Sequence, residues 1–196
     1  PSFLIVQCQN TATGRANISV DEVDMEYPRI DSSKFQCLDL RPYANMGFKD
    51  ETDGDKQGGW TDQGNNDMRN IPTGKQDLKT IPFDIINPDD NSGKSAVILY
   101  SKKKEFFPKG AGPIPVGKKV DSIIFLHAAA WGGKEGIEAM RYRITYDDGK
   151  EVEVPVVTGQ QIQDWWSLQE VADPNAALFL KVRSENSARG DRKSVV

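Results

Sequence analysis

The chain has little of the chemistry that metal centres and nucleophilic active sites require. Its 196 residues include one histidine and two cysteines, Cys8 and Cys37, which are too far apart for a CxxC pair. No G-x-S-x-G, H-E-x-x-H, phosphate-binding or dinucleotide-binding motif occurs. The chain therefore lacks a recognisable catalytic motif, and we expect no enzyme activity in it. The two cysteines are either a disulfide or two buried thiols.

Basic stripes and long apolar runs are missing as well. The net charge is −4 and the isoelectric point is about 5.1, so we expect no nucleic-acid partner. No apolar run approaches the roughly 20 residues of a membrane span, so we expect no membrane partner. The short lysine clusters at 102–104 and 118–119 flank predicted strands and are interpreted as solvated edge residues.

Helical periodicity is nearly absent, whereas short apolar or alternating runs recur. These runs predict strands at 3–9, 18–25, 35–40, 81–86, 95–100, 122–127 and 177–182. The clearest hairpin spans residues 141–156, where apolar residues alternate on both sides of Asp148-Gly149, read as a two-residue turn. Many short antiparallel strands predict an all-β fold, an antiparallel β-sandwich of the jelly-roll type.

Residues 45–69 form the most unusual segment of the chain. They include five glycines, five aspartates and one tryptophan, Trp60, without the apolar spacing of a helix or strand. We expect this segment to contribute nothing to the core, because it has almost nothing to bury. A loop of this length in a compact domain is usually functional or disordered. Its amides and carboxylates around one indole ring favour an ordered loop that binds a polyhydroxylated ligand.

The predicted ligand-binding residues lie in this loop and in one later segment. Trp60 is interpreted as a stacking platform for a pyranose ring, or alternatively as a cap on the core. Polar groups for the ligand would come from Asp62, Gln63, Asn66, Asp67 and Arg69, some of which would instead brace the loop. His127 and Trp131 end an apolar run before a glycine turn, which suits a hydrogen-bonded histidine and a stacking tryptophan. In Trp165-Trp166, at most one ring can reach a ligand while the other packs.

A second prediction concerns calcium. Asp50, Asp53 and Asp55 have the alternate spacing of calcium-binding loops, with Gly54 between them. The bidentate glutamate of an EF-hand is missing at the required distance, which favours three solvated acids. The solvated acids are the favoured interpretation, and a structural Ca²⁺ at these three aspartates is the prediction set against it.

Six motifs, in order along the chain, resemble one family of modules. They are CLDLRPYANMGF, GGWTDQGNNDMR, IPFDIINPDDNSGKSAVIL, FLHAAAW, YDDG and DWW. Together they resemble galactose-binding-like and NPCBM-type β-sandwich modules attached to secreted bacterial glycoside hydrolases, over about two thirds of the chain. The resemblance implies a non-catalytic carbohydrate-binding module, located outside the cell or at its surface. Its partners would be a polysaccharide or oligosaccharide and the catalytic domain of the same polypeptide. The alternative is a structural module that packs against that domain.

The domain organisation has two interpretations. The chain begins at Pro1, and we interpret residues 1–196 as one module excised from a larger protein. The phrase TGRANISVDEVDMEYP resembles the closing strand of bacterial jelly-roll carbohydrate-binding modules. Residues 1–28 are therefore alternatively the end of a preceding module. A lone terminal hairpin is unstable by itself, which favours the single domain.

Overall fold

The computed structural model describes residues 31–167, 169–178, 180–183 and 192–195. Within these residues the chain forms antiparallel strand pairs and short 3-10 turns, with no α-helix. The strands are β1 Gly74–Leu78, β2 Ile81–Ile85, β3 Glu138–Thr145, β4 Glu151–Val157, β5 Leu180–Arg183 and β6 Arg192–Val195. The 3-10 turns are Ser32–Lys34, Arg41–Tyr43 and Pro88–Asp90. The antiparallel, non-helical class is confirmed, and the strands predicted at 3–9 and 18–25 lie outside the described residues.

Strands β3 and β4 form the hairpin that the alternation predicts. Tyr142 pairs with Val154 near its centre. Across the turn, the Tyr146 N–H donates to the Lys150 carbonyl at 2.8 Å, and Gly149 is the turn residue with a positive φ, 82°. The turn is therefore a three-residue loop closed by a left-handed glycine, one residue longer than the predicted two-residue turn.

Strands β1 and β2 form a hairpin of which only β2 is predicted by the sequence. Leu78 pairs with Ile81, so the turn consists of Lys79 and Thr80, whose φ angles are 49° and 69°. Two positive φ angles define the type I′ turn, which normally contains Asn-Gly. Lysine and a β-branched threonine are rare in this backbone region, so the sequence gives no turn signal here.

Three other predicted strands, at 35–40, 95–100 and 122–127, form no strand ladder within the described residues. The reason is clearest near Asn45. The Ser95 and Ala96 N–H groups donate to the Met46 carbonyl. The Asn45 side chain then takes the place of a backbone partner, because its amide donates to the Ile98 carbonyl at 2.9 Å and accepts from the Ile98 N–H at 2.8 Å. A side chain thus satisfies polar groups that a neighbouring strand would otherwise satisfy.

The core joins the polar loop to the segment around Trp165. Its buried cluster consists of Met68, Ile71 and Trp165, with Phe48, Trp60, Leu126, Ala128 and Ala130 packed against it. The expectation that residues 45–69 contribute nothing to the core is therefore wrong. The loop's few apolar side chains are spaced irregularly, and its backbone folds so that they converge on one point.

A membrane-spanning helix is not found in the described part of the chain, where no helix has the necessary length and hydropathy.

Candidate functional site

The polar loop folds back on itself through backbone hydrogen bonds. The Gly47 N–H donates to the Gly58 carbonyl at 2.8 Å, and the Trp60 N–H donates to the Gly47 carbonyl at 3.1 Å. A Cβ atom on Gly59 would overlap Cβ of Asp50. Only glycine therefore permits the two arms of the loop to approach this closely.

Asp50, Asp67 and Arg69 form the inner brace of the loop. The Asp67 carboxylate accepts hydrogen bonds from the Asp50 N–H at 2.7 Å and from Arg69 Nη2 at 2.8 Å. Arg69 Nη2 also donates to the Asp50 carbonyl at 2.6 Å. The Asp50 carboxylate is itself buried, and it accepts from the Thr52 and Gly64 N–H groups. Burial raises the pKa of Asp50, with further contributions from the negative charges of Asp62 and Asp55.

Asp62 forms a second brace, which ties the loop to residue 104. Its carboxylate is 3% exposed and accepts from the Lys104 ammonium at 2.8 Å and from the Lys56 N–H at 2.9 Å. Burial opposes ionisation of Asp62, but the Lys104 ammonium and the Lys56 N–H outweigh it and hold the pKa of Asp62 below its usual 3.8. The pair is thus an ionised, largely buried salt bridge.

Gln63 and Asn66 bond to each other, with the Asn66 amide donating to Gln63 Oε1 at 3.1 Å. The fully buried Thr61 hydroxyl donates to the Asn66 carbonyl at 3.1 Å. The predicted self-bracing of the loop is confirmed by these bonds. Most of the predicted ligand-binding polar groups face the loop itself, and ligand binding by them stays a prediction.

The three aspartates proposed for calcium are differently placed. Asp53 and Asp55 are exposed, and Asp55 accepts from the Gln57 N–H at 2.8 Å, whereas Asp50 is buried. Across the residues that the structure describes, no three His, Cys, Asp or Glu side chains are grouped to hold a metal ion. Calcium binding here stays a prediction.

Trp60 packs edge-on against Trp165, with ring centroids 5.1 Å apart and an interplanar angle of 75°. This is a favourable aromatic geometry. The indole Nε1 of Trp60 is buried and has no hydrogen-bond partner in the structure. Trp60 therefore caps the core, as in the alternative interpretation of this residue. It is only partly buried.

His127 links β3 to the segment around residue 161. Its Nε2 lies 3.0 Å from the Gln161 carbonyl, and its Nδ1 lies 2.9 Å from the Tyr142 hydroxyl. A carbonyl can only accept, so Nε2 carries the proton and Nδ1 accepts from the tyrosine. Burial lowers the pKa of His127 and raises the pKa of Tyr142. The histidine is thus a neutral structural link.

We expect the single histidine to titrate with a midpoint below 6.5, the ordinary value. A depressed pKa means that the unfolded chain binds the proton more readily. The contribution of His127 to stability is therefore complete above pH 6.5 and is lost as the pH falls toward the folded-state pKa. Because the chain has one histidine, its ring NMR signals report the midpoint and the Nε2–H tautomer directly. A midpoint at or above 6.5 would contradict the assignment of His127 as a partly buried, neutral residue.

Trp131 and Trp166 lie on two turns that share one carboxylate. Asp164 Oδ2 accepts from the Gly132 N–H at 3.2 Å, and Asp164 Oδ1 accepts from the Trp166 N–H at 3.0 Å. A parallel bridge between Ala129 and Asp164 brings the two segments together. Trp131 is 39% exposed and Trp166 is 43% exposed. Two partly exposed tryptophans thus lie on turns that are joined through the Asp164 side chain.

The backbone of Trp131 has an unusual conformation. Its φ of 56° is in the left-handed region, which a bulky side chain occupies at a cost of roughly 1–2 kcal/mol. The residue is 39% exposed, so burial of its side chain can offset part of this cost. The neighbouring bonds keep the conformation, including Thr158 Oγ1 to the Gly132 carbonyl at 2.7 Å. Residues held in such regions cluster at functional sites.

The structure thus divides the predicted site residues into separate groups. The polar residues Asp62, Gln63, Asn66, Asp67 and Arg69 hold the loop, Trp60 packs on the core, His127 links segments, and Trp131 is exposed. Sequence reasoning missed Lys104, which it placed in a solvated cluster, and Asp164, which binds both aromatic turns. Nothing in the run of three lysines distinguishes the buried one from its neighbours.

Comparisons with family models, curated proteins and solved structures found no match to this chain.

Proposed function

We propose that the chain is a non-catalytic module of a secreted polysaccharide-degrading enzyme and that it binds carbohydrate. The observation that carries this proposal is the pair of exposed tryptophans, Trp131 and Trp166, joined through Asp164. An indole ring offers a flat apolar face to the C–H face of a sugar. Exposed aromatic side chains that form a patch often mark a place where a partner binds.

The placement of the acidic residues supports a non-catalytic role. Glycoside hydrolysis uses two carboxyl groups on either side of the scissile bond. The carboxylates of Asp50, Asp62 and Asp67 are buried and hold the loop together through hydrogen bonds. These three aspartates are therefore structural in the proposal, and hydrolysis belongs to a catalytic domain of the same polypeptide.

The proposal also covers the detailed fold of the module and its location. The antiparallel hairpins would be parts of a jelly-roll β-sandwich, with the polar loop and the turn at Trp131 at one end. The module would act outside the cell or at its surface, and a Ca²⁺ ion would bind at the exposed side of the polar loop. Loops at one end of a rigid β scaffold are where such modules usually bind ligands.

A second candidate function is structural packing against the catalytic domain. It is favoured by exposed apolar side chains on and beside the β3–β4 hairpin, namely Ile137, Tyr146 and Val154. An interdomain contact would cover such residues. In this alternative, no sugar binds, and removing the exposed tryptophans changes only the domain contact.

The two functions differ in the expected effect of Trp131→Ala and Trp166→Ala. If the rings stack on a sugar, each substitution should weaken binding about tenfold, because burying one aromatic face contributes roughly 1–3 kcal/mol. The measurement is affinity electrophoresis or calorimetry of the whole chain against a panel of neutral and acidic polysaccharides. Tyr146→Ala is the matched control, since it removes an exposed aromatic ring elsewhere.

The proposed carbohydrate site would be contradicted by equal affinities for the two tryptophan variants and the tyrosine control. Absence of binding to every polysaccharide in the panel would favour the structural alternative instead. Melting temperatures should fall much less than for a core tryptophan, because both residues are more than a third exposed.

A further inference from the structure

The turn at residues 100–109 presents lysine and aromatic side chains together. The Tyr100 N–H donates to the Pro108 carbonyl at 2.8 Å, which closes the turn, and Lys102 and Lys103 lie exposed at its tip. Tyr100 and Phe106 are exposed apolar rings of the same turn. We call this set of side chains, together with Lys56 and Lys109, the lysine turn.

Asp62 anchors the lysine turn through hydrogen bonds to Lys104 and Lys56. The buried carboxylate of Asp62 binds the Lys104 ammonium, which anchors the turn, and also accepts from the Lys56 N–H. Phe107 is buried beside Phe106, with ring centroids 4.2 Å apart. A single buried anion therefore positions two segments whose other lysines face outward.

The ammonium groups of the lysine turn lie over aromatic rings or in solvent. Lys109 Nζ is 5.5 Å from the Tyr100 ring centroid, and Lys56 Nζ is 6.0 Å from that of Phe106. These are cation–π distances. Within the described residues, Lys56, Lys102, Lys103 and Lys109 form no salt bridge. By contrast, Arg41, Arg141 and Arg143 are each paired with a carboxylate.

The lysine turn keeps an excess of positive charge on a chain whose net charge is −4. Glu105 and Asp55 are the nearest acidic residues along the two segments, and both are exposed. Lysines that lack carboxylate partners, interleaved with exposed rings, match a polymer of anionic groups and apolar faces. A sugar chain that carries carboxylate or sulfate groups has both features.

We infer that the lysine turn is a carbohydrate-binding surface in addition to Trp131 and Trp166, and that its ligand is a carboxylated or sulfated polysaccharide. This inference rests on the proposed carbohydrate-binding function and adds the class of ligand to it. The ammonium groups neutralise the anionic groups, while Tyr100 and Phe106 contact the sugar rings.

The test uses the whole chain with dextran sulfate, polygalacturonate and uncharged dextran, by affinity electrophoresis or calorimetry. We expect binding to at least one polyanion that weakens when salt is raised from about 20 mM to about 300 mM, because salt screens exposed charges. Lys102→Gln/Lys103→Gln should weaken this binding roughly fivefold, from two exposed charge contacts. Which of the two polyanions binds distinguishes sulfate from carboxylate recognition.

The matched control is Lys118→Gln/Lys119→Gln, which removes the same charge from another exposed lysine pair. It should change the affinity by less than about twofold. An equal loss in this control would overturn the lysine turn as a site, as would single-stranded DNA that binds as tightly as the glycans. Binding of uncharged polysaccharide alone would overturn the anionic ligand class and leave the proposed function intact. Binding of no polysaccharide at all would overturn both.

Discussion

Replacing Lys104 with methionine should lower the free energy of unfolding by about 3 kcal/mol at pH 7, because it leaves a buried carboxylate without its cation. Asp62 is 3% exposed and Lys104 is 16% exposed, so little water is available to replace the ammonium. The remaining hydrogen bond from the Lys56 N–H cannot neutralise the charge. Urea denaturation of the variant and the unmodified chain measures the difference.

Two controls separate this effect from loss of the side chain as such. Lys103→Met removes an exposed neighbour and should change the stability by no more than about 0.5 kcal/mol. The double variant Asp62→Asn/Lys104→Met should regain most of the lost stability, because an amide carries no buried charge. Asparagine also tolerates the left-handed backbone of residue 62, whose φ is 49°.

The pH dependence provides a further check on the same pair. The pKa of Asp62 is depressed, so its contribution to stability is present above pH 3.8 and is lost as the pH falls through the folded-state value. The difference between the unmodified chain and Lys104→Met should therefore shrink in acid. A difference that stays constant from neutral pH to about pH 3 would show that the ion pair is not its cause.

Trp165→Ala should cost about 3–5 kcal/mol of stability, whereas Trp166→Ala should cost less than about 1 kcal/mol. Trp165 is 2% exposed and packs with Met68 and Ile71, so its removal leaves a cavity at the centre of the core. It also removes the edge-on partner of Trp60. Chemical denaturation of the two variants compares adjacent tryptophans that differ in burial, 2% against 43% exposed.

Similar losses of stability in both variants would contradict the division of roles between the two rings. The binding assay then compares the two variants by a second property, their affinity for carbohydrate. Trp166→Ala should weaken carbohydrate binding without loss of stability. Trp165→Ala should reduce the folded fraction, with affinity retained in the protein that remains folded.

The two hairpins show how far local sequence predicts structure. The β3–β4 hairpin follows from alternating apolar residues and from Gly149, which takes a positive φ without steric cost. The β1–β2 hairpin has Lys79 and Thr80 in the same region of backbone space, where these residue types are disfavoured. Pairing of the flanking strands must therefore impose that turn. The residue types at 79 and 80 do not predict it.

The polar loop likewise has features that the local sequence predicts and features that it does not. The composition of residues 45–69 predicts a loop braced by its own side chains, because it has many donors and acceptors and no periodic apolar face. It does not reveal which acids point inward, since Asp53 and Asp62 have similar local sequences but one is exposed and the other buried. The partner of Asp62, Lys104, is 42 residues away in the chain.

By itself, the sequence determined the antiparallel β class, the β3–β4 hairpin and the self-bonded polar loop, because each depends on spacings or compositions within a few residues. The tertiary structure alone decided that Phe48, Trp60, Met68 and Ile71 join the core, and that Trp165 is buried while Trp166 is exposed. It also decided that Asp164 joins the turns of Trp131 and Trp166. These outcomes depend on contacts between distant segments, where burial and electrostatic pairing are set by the fold and not by neighbours in the chain.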